Sequence, residues 1–210
     1  MSLGILTLSP VVNSNFFELI LINFGLHIVL NDQEKLTLRL RLLEKKLKKK
    51  EQLLANGELC KNIYFVCSGC LRTYYRDKEG EEHNVFFSPE NWWATDMLSF
   101  SHHTPATYNI EALEDTHLLY LSFTTLEQLY IEIPKLERFF RILMQNGFSL
   151  FQSRVTSSIS QSAQQRYKRF QQQYPTLEQR ISQKHIASYL GITPVFLSMI
   201  RNITLQQKKL

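Results

Sequence analysis

The sequence predicts an α+β chain. A small β-barrel or jelly roll, preceded by helices, leads into one long amphipathic helix and a terminal pair of short helices. Three observations carry this. Between about Leu47 and Phe123, short apolar runs alternate with turn signals. After Pro134 the apolar residues recur at steps of three and four. Residues 181–202, ISQKHIASYLGITPVFLSMIRN, read as two helices around a tight turn.

The chain opens with the run FFELILINFGLHIVL (16–30). It is too short and, with Glu18 and His27, too polar to span a bilayer, and it lacks the basic start of a secretion signal. A helix fits Asn13–Ile28 instead, and a second is expected to open at the caps Asn31 and Asp32. The lysine-rich EKKLKKKEQ (44–52) reads as a solvated strand edge, its charges discouraging unwanted pairing. In the barrel region Gly57, Gly69 and Gly80 punctuate runs rich in Tyr, Phe, Val and Ile, and RDKEGEE is a hairpin turn.

Beyond Pro134, Leu136, Phe139, Phe140, Leu143, Met144, Gly147, Leu150 and Phe151 fall on one face of a helix over about 135–158. A stripe of that length can pack down on the barrel or pair with a second copy; pairing is expected, Gly147 permitting close backbone approach. A polar stretch rich in Gln and Ser (157–173) then leads through Pro175 to the final motif.

The last two helices meet the demands of a DNA-binding helix-turn-helix. Counting from Gln183, the small Ala187 is fifth and Gly191 ninth, where the crossing is crowded and the turn favours a positive φ. Ile186, Leu190, Ile192, Leu197 and Ile200 lock the helices together, Thr193 is an N-cap, and Pro194 suits a first helical position. Charge agrees. From Phe151 onward nine Lys and Arg face a single acid, Glu178, a net +8, whereas the first 150 residues carry a net −3.

A barrel containing GELCKNIYFVCSGCLRTYY, a long helix after it and a terminal ISQKHIASYLGITPVFLSMIR resemble, over roughly residues 30–203, the Crp/Fnr family of cyclic-AMP-receptor-like bacterial transcription regulators. The resemblance implies a cyclic-nucleotide-binding-like β jelly roll with its N-terminal helices (1–134), a dimerisation helix (135–158) and a helix-turn-helix DNA-binding domain (159–210). The short tail after Arg201 resembles compact members and leaves little room for a β-wing.

Two departures from the family pattern matter. Members that bind cyclic AMP carry a Gly-Glu pair for the ribose and an Arg-Ser pair or similar for the phosphate. Thr95-Asp96 and Ala106-Thr107 stand in those places here. A buried phosphate without its arginine loses a charge-assisted partner, so cyclic AMP is not expected to bind. The cavity is either kept for another small effector, lined in part by Trp92, Trp93, Asp96, Met97, Thr107 and Tyr108, or filled by those side chains. In the second helix, Pro194, Val195 and Met199 occupy the base-reading positions, and none can make a bidentate hydrogen bond. DNA contact then falls to Gln183, Lys184 and His185 for phosphates and to Thr193, Ser198 and Arg201, with Val195 and Phe196 able to touch thymine methyls.

Other chemistry is weaker. Three cysteines, Cys60, Cys67 and Cys70, suit a reducing cytoplasm but fall short of the four ligands a metal or iron–sulfur site wants. His83, His102, His103 and His117 lack the spacing of a metalloenzyme, and no phosphate loop or nucleophile elbow occurs. The expectation is a dimeric, cytoplasmic transcription regulator, not an enzyme, with no cofactor or metal and no membrane contact. Double-stranded DNA and a second copy of the chain are its partners, RNA polymerase a further one. The alternative is a ligand-sensing or interaction module that has lost sequence-specific reading.

Overall fold

Two α-helices, α1 (Ser14–Gly25) and α2 (Asp32–Arg41), open the computed structural model, which describes residues 12–207, with side chains described to Ile203. The capping at Asn31 is reciprocal. Its side chain accepts the Glu34 N–H at 2.8 Å, and the Glu34 carboxylate accepts the Asn31 N–H at 2.8 Å. Helix α1 stops at Gly25, short of the expected Ile28, because the N–H groups of Leu26, His27 and Ile28 close back on Asn23 and Phe24.

Eight strands follow: β1 (Leu43–Leu47), β2 (Gln52–Leu54), β3 (Asn62–Ser68), β4 (Leu71–Arg76), β5 (Glu82–Ser88), β6 (Trp93–Ala94), β7 (Asn109–Ala112) and β8 (Thr116–Ser122), with a short helix α3 (Met97–His102) between β6 and β7. They form two antiparallel sheets, ordered β1-β8-β3-β6 and β2-β7-β4-β5, a jelly-roll sandwich. The sandwich begins at Leu43 rather than Leu47, and its edge strand β1 exposes Lys45 and Lys46 as expected of a protected edge. Strand β3 is buried along nearly its whole length because α1 covers the face that the second sheet does not. Phe24 of α1 packs on Trp93 and on Phe139, and Trp93 packs on Phe65.

Helix α4 (Phe123–Glu132) leads to α5 (Lys135–Ser160), then α6 (Ala163–Gln173), α7 (Leu177–Arg180), α8 (Gln183–Leu190) and α9 (Pro194–Gln207). Periodicity missed α4, which follows β8 without a break and starts at the Ser122 cap. Helix α6 lies in the stretch read as a polar connection. It buries only Tyr167 and Phe170, one turn apart, and is set by a Ser162–Gln165 capping box.

The long helix is divided. Leu136, Phe139 and Phe140 are buried within the chain against the barrel and α1, so they are not part of a face free to pair. Leu143 packs on the same cluster. Past it, Met144, Gly147 and Phe151 are exposed and Leu150 half-buried, and the exposed row continues through Phe148, Val155 and Ile159.

Gly69, between β3 and β4, has φ +90°, and a Cβ there would sit 2.6 Å from the Asp115 carbonyl oxygen and 2.8 Å from the Thr116 Cα. Gly69→Ala is expected to cost about 3 kcal/mol in urea unfolding. Gly57→Ala, at a similar φ of +87° with open space around it, is expected to cost about 1 kcal/mol.

Candidate nucleic-acid interface and barrel site

Helices α8 and α9 are bent 93° from one another around residues 191–193. Gly191 takes the left-handed conformation at φ 65°, ψ 41°, and the Thr193 hydroxyl accepts the Phe196 N–H at 3.2 Å. Ile186, Ala187, Leu190, Leu197 and Ile200 are buried at the crossing. They join Tyr167, Phe170, Tyr174, Leu177 and Ile181, and the core so formed continues into the barrel through Cys70, Phe87 and Leu113.

Helix α8 therefore lies directly on strand β5, the edge of the second sheet. The Ser188 hydroxyl accepts the Asn84 N–H at 2.9 Å and donates to the Glu82 carbonyl at 2.7 Å, completing the strand edge with a side chain. The Asn84 side chain donates to the His185 carbonyl at 3.0 Å, and Arg154 of α5 donates to the carbonyls of both Asn84 (2.8 Å) and Tyr189 (3.0 Å). Beneath them Arg72, 4% exposed, pairs with Glu82 at 2.7 Å and Glu111 at 3.2 Å. Arg180 clamps the other end, bonding Glu90 and Glu114 of the barrel and the Gly69 carbonyl. Burial pushes the Glu90 carboxyl up, but hydrogen bonds from Arg180 and from the Gly69 N–H outweigh it and leave its pKa below the ordinary carboxylate value.

Gln183, Lys184, Thr193 and Ser198 are exposed, as are Val195 (73%), Phe196 (45%) and Met199 (56%). Two predicted DNA contacts are otherwise engaged. His185, half-buried, is turned to the barrel, its Nδ1 3.4 Å from an Arg72 nitrogen. Arg201 is paired with Glu178 at 3.0 Å, and Glu178 also accepts from Tyr167 and from Gln171. Asn202, exposed one turn beyond Ser198, carries a side-chain amide of the type able to hydrogen-bond a base edge, which sequence reasoning missed; continuing the Val195–Ser198–Met199 face by one turn would have found it.

The basic charge of the final third is mostly internal. Arg154, Arg166 and Arg169 donate to carbonyls and hydroxyls, and Arg180 and Arg201 face carboxylates. Lys168 and Lys184 are the exposed cations of that third among the described residues; Lys208 and Lys209 lie outside them.

The barrel residues expected to line one cavity are dispersed. Trp92 packs on Tyr174 in the helix-turn-helix core, while Trp93 donates to Asn23 at 2.9 Å and stacks in the barrel core. Met97 and Thr107 are exposed and Tyr108 half-buried. Only Asp96, buried, meets the 104–108 loop, accepting the N–H groups of Thr107 and Tyr108. An open groove of about 490 Å³ lies elsewhere, between the α1–α2 connection and the start of α5, lined by residues 27–31 with Lys135 and Arg138. Cys60, Cys67 and Cys70 are free and buried, and burial pushes both Cys67 and Cys70 up to about 12, far from the thiolate a metal needs. Among the described residues no group of three His, Cys, Asp or Glu is placed to hold a metal, and no single helix is long and apolar enough to cross a membrane. His83 is bonded to Asp77 at 2.7 Å, and His103 packs edge-on to Phe123.

His185 supplies a pH test of the α8–β5 contact. Burial, then the positive charge of Arg72, lowers its pKa from 6.5 to about 4 despite Glu82 nearby. The folded contact thus keeps a neutral imidazole that the unfolded chain protonates first. Its stability is fully present above pH 6.5 and falls between pH 6.5 and 4. Amide exchange of α8, measured across that window, is expected to accelerate on acidification, and His185→Gln is expected to flatten the dependence.

Residues 44–132 match the cyclic nucleotide-binding domain family. No curated protein matches the sequence. The structure resembles FixK2 from Bradyrhizobium japonicum (TM-score 0.70, 17% identity, covering 80% of this chain and 86% of that one). It is similar to a CooA double mutant from Carboxydothermus hydrogenoformans (0.68, 19%, 89% and 84%). It is also similar to a protein from Eubacterium rectale described as a transcriptional regulator of the Crp/Fnr family (0.64, 20%, 84% and 85%). Residues 44–132 thus match the cyclic nucleotide-binding domain family, and the chain shares its fold with these solved structures.

Proposed function

We propose that the chain is a homodimeric, DNA-binding transcription regulator of the Crp/Fnr type, working in the bacterial cytoplasm without enzymatic activity and without response to cyclic AMP. The observation that carries this is the division of labour in the terminal motif. Helix α8 is fastened to strand β5, while α9 turns 93° away and keeps an open face. A barrel change that favoured one arrangement would move α9 with it. RNA polymerase is the further partner where the bound protein activates.

The dimer reading rests on the outer half of α5. Met144, Phe148, Phe151, Val155 and Ile159 are spaced by four, three, four and four residues and are all exposed, Phe148 at 62% and Ile159 at 81%. Such a row matches a coiled-coil seam, and uncovered it is an aggregation liability. Phe148→Glu is expected to yield a monomer by sedimentation at micromolar concentration and to lose cooperative binding to a two-half-site duplex.

Resistance to cyclic AMP rests on Ala106 and Thr107, which supply no cation where a cyclic phosphate would need one. Losing such a buried ionic partner costs on the order of 2–5 kcal/mol.

A second reading, an interaction module that no longer reads sequence, is favoured by one observation: the outward face of α9 carries Val195, Met199 and Ile203 (47% exposed). Selection from random duplexes separates the two. The regulator is expected to enrich a near-palindrome with half-sites about 34–36 Å apart. Lys184→Ala is expected to lower the salt slope by about 1 per protomer without changing the preferred site. Enrichment of no sequence at any salt concentration would assign the second reading.

A further inference from the structure

Asp96 is 2% exposed, yet among the described residues it has no ion-pair partner. Its charge is met by backbone dipoles alone. One oxygen accepts the Ser99 N–H at 3.1 Å, and the other accepts the consecutive N–H groups of Thr107 at 3.0 Å and Tyr108 at 3.1 Å. Two successive amides converging on one oxygen make an anion nest.

The nest does not depend on Asp96 for its shape. The Asn56 side chain donates to the carbonyls of Ala106 (3.2 Å) and Thr107 (2.8 Å), and the Gly57 N–H donates to the Ala106 carbonyl at 2.8 Å. The buried Asn109 side chain accepts from the Asn56 N–H at 3.0 Å and from Gln52 at 2.8 Å. The Ala106 N–H donates to the Glu58 carbonyl at 2.7 Å. The loop is thus fixed by its own polar frame with two amides aimed inward, and those two belong to Asp96.

We propose that Asp96 is a built-in anion. It occupies the nest that an anionic ligand of the barrel would need, so the barrel is a permanently filled module closed to phosphate-bearing effectors. An incoming phosphate would have to displace a covalently tethered carboxylate at very high effective concentration and share a buried site with its charge. The inference rests on the reading of the barrel as unresponsive to cyclic AMP and goes further by naming the group responsible.

Chemical rescue tests it. The wild-type protein and Asp96→Ala are compared by thermal unfolding in sodium chloride, sodium formate and sodium phosphate at equal ionic strength, and by calorimetric titration with cyclic AMP. The wild type is expected to show only the general salt effect on its melting temperature, with no heat from cyclic AMP. Asp96→Ala is expected to melt lower in chloride by on the order of 5 °C, and formate or phosphate should raise it by more than they raise the wild type. A folded Asp96→Ala that formate and phosphate raise no more than the wild type overturns the built-in anion while the cyclic-AMP reading stands. Binding of cyclic AMP by the wild type overturns both. If Asp96→Ala does not fold, Asp96→Ser, which also leaves room for an anion, takes its place under the same criteria.

Discussion

The contact on which the molecule is organised is a serine hydroxyl against a strand edge. Ser188 accepts from Asn84 and donates to Glu82, so helix α8 does for β5 what a ninth strand would otherwise do. An unpaired edge invites association; here it is closed by the domain that follows it. Arg72 underneath is paired with two carboxylates of the barrel itself, and His185 of α8 lies against it and helps to shield it from water. Separation would leave Cys70, Phe87 and Leu113 without their aromatic cover. The helix-turn-helix core thus takes in one side of the second sheet, and the position of α8 on the barrel is set by that contact.

Much of this was legible in sequence, and the reasons differ by element. Ala187, Gly191, Thr193 and Pro194 could be read because each satisfies a local steric or capping demand that depends on few distant partners. The barrel could be read because its turns need Gly57, Gly69 and Gly80 at positive φ. Helix α6 could not, since two aromatics among glutamines give no apolar period; its place comes from a capping box and a tertiary pocket. The seam on α5 was half misplaced for a related reason. Periodicity identifies an apolar face but not what covers it, and α1 covers Leu136, Phe139 and Phe140 first.

Charge counting was the least reliable guide at the candidate site. A net +8 suggested a surface directed at a polyanion, but five arginines of that segment hold the fold together, and two of them are neutralised by barrel or local carboxylates. The cavity was read with two outcomes, kept for an effector or filled by its own side chains. Of the six residues named, Asp96 meets Thr107 and Tyr108, while Trp92 and Trp93 leave in opposite directions, one to each core. Adjacent residues on an extended segment face opposite sides, and a list drawn from neighbours along the chain mixes two faces.

The commitment of those arginines also bears on how such a protein would find its target. A binder that sheds many counterions clings to any stretch of duplex and travels along it in one dimension. Among the described residues Lys168 and Lys184 are the exposed cations of the domain, so that part of it offers little of that entropy. For a DNA-binding chain, contacts limited to those cations would make encounters with random duplex short, and transfer between distant segments would proceed through solution.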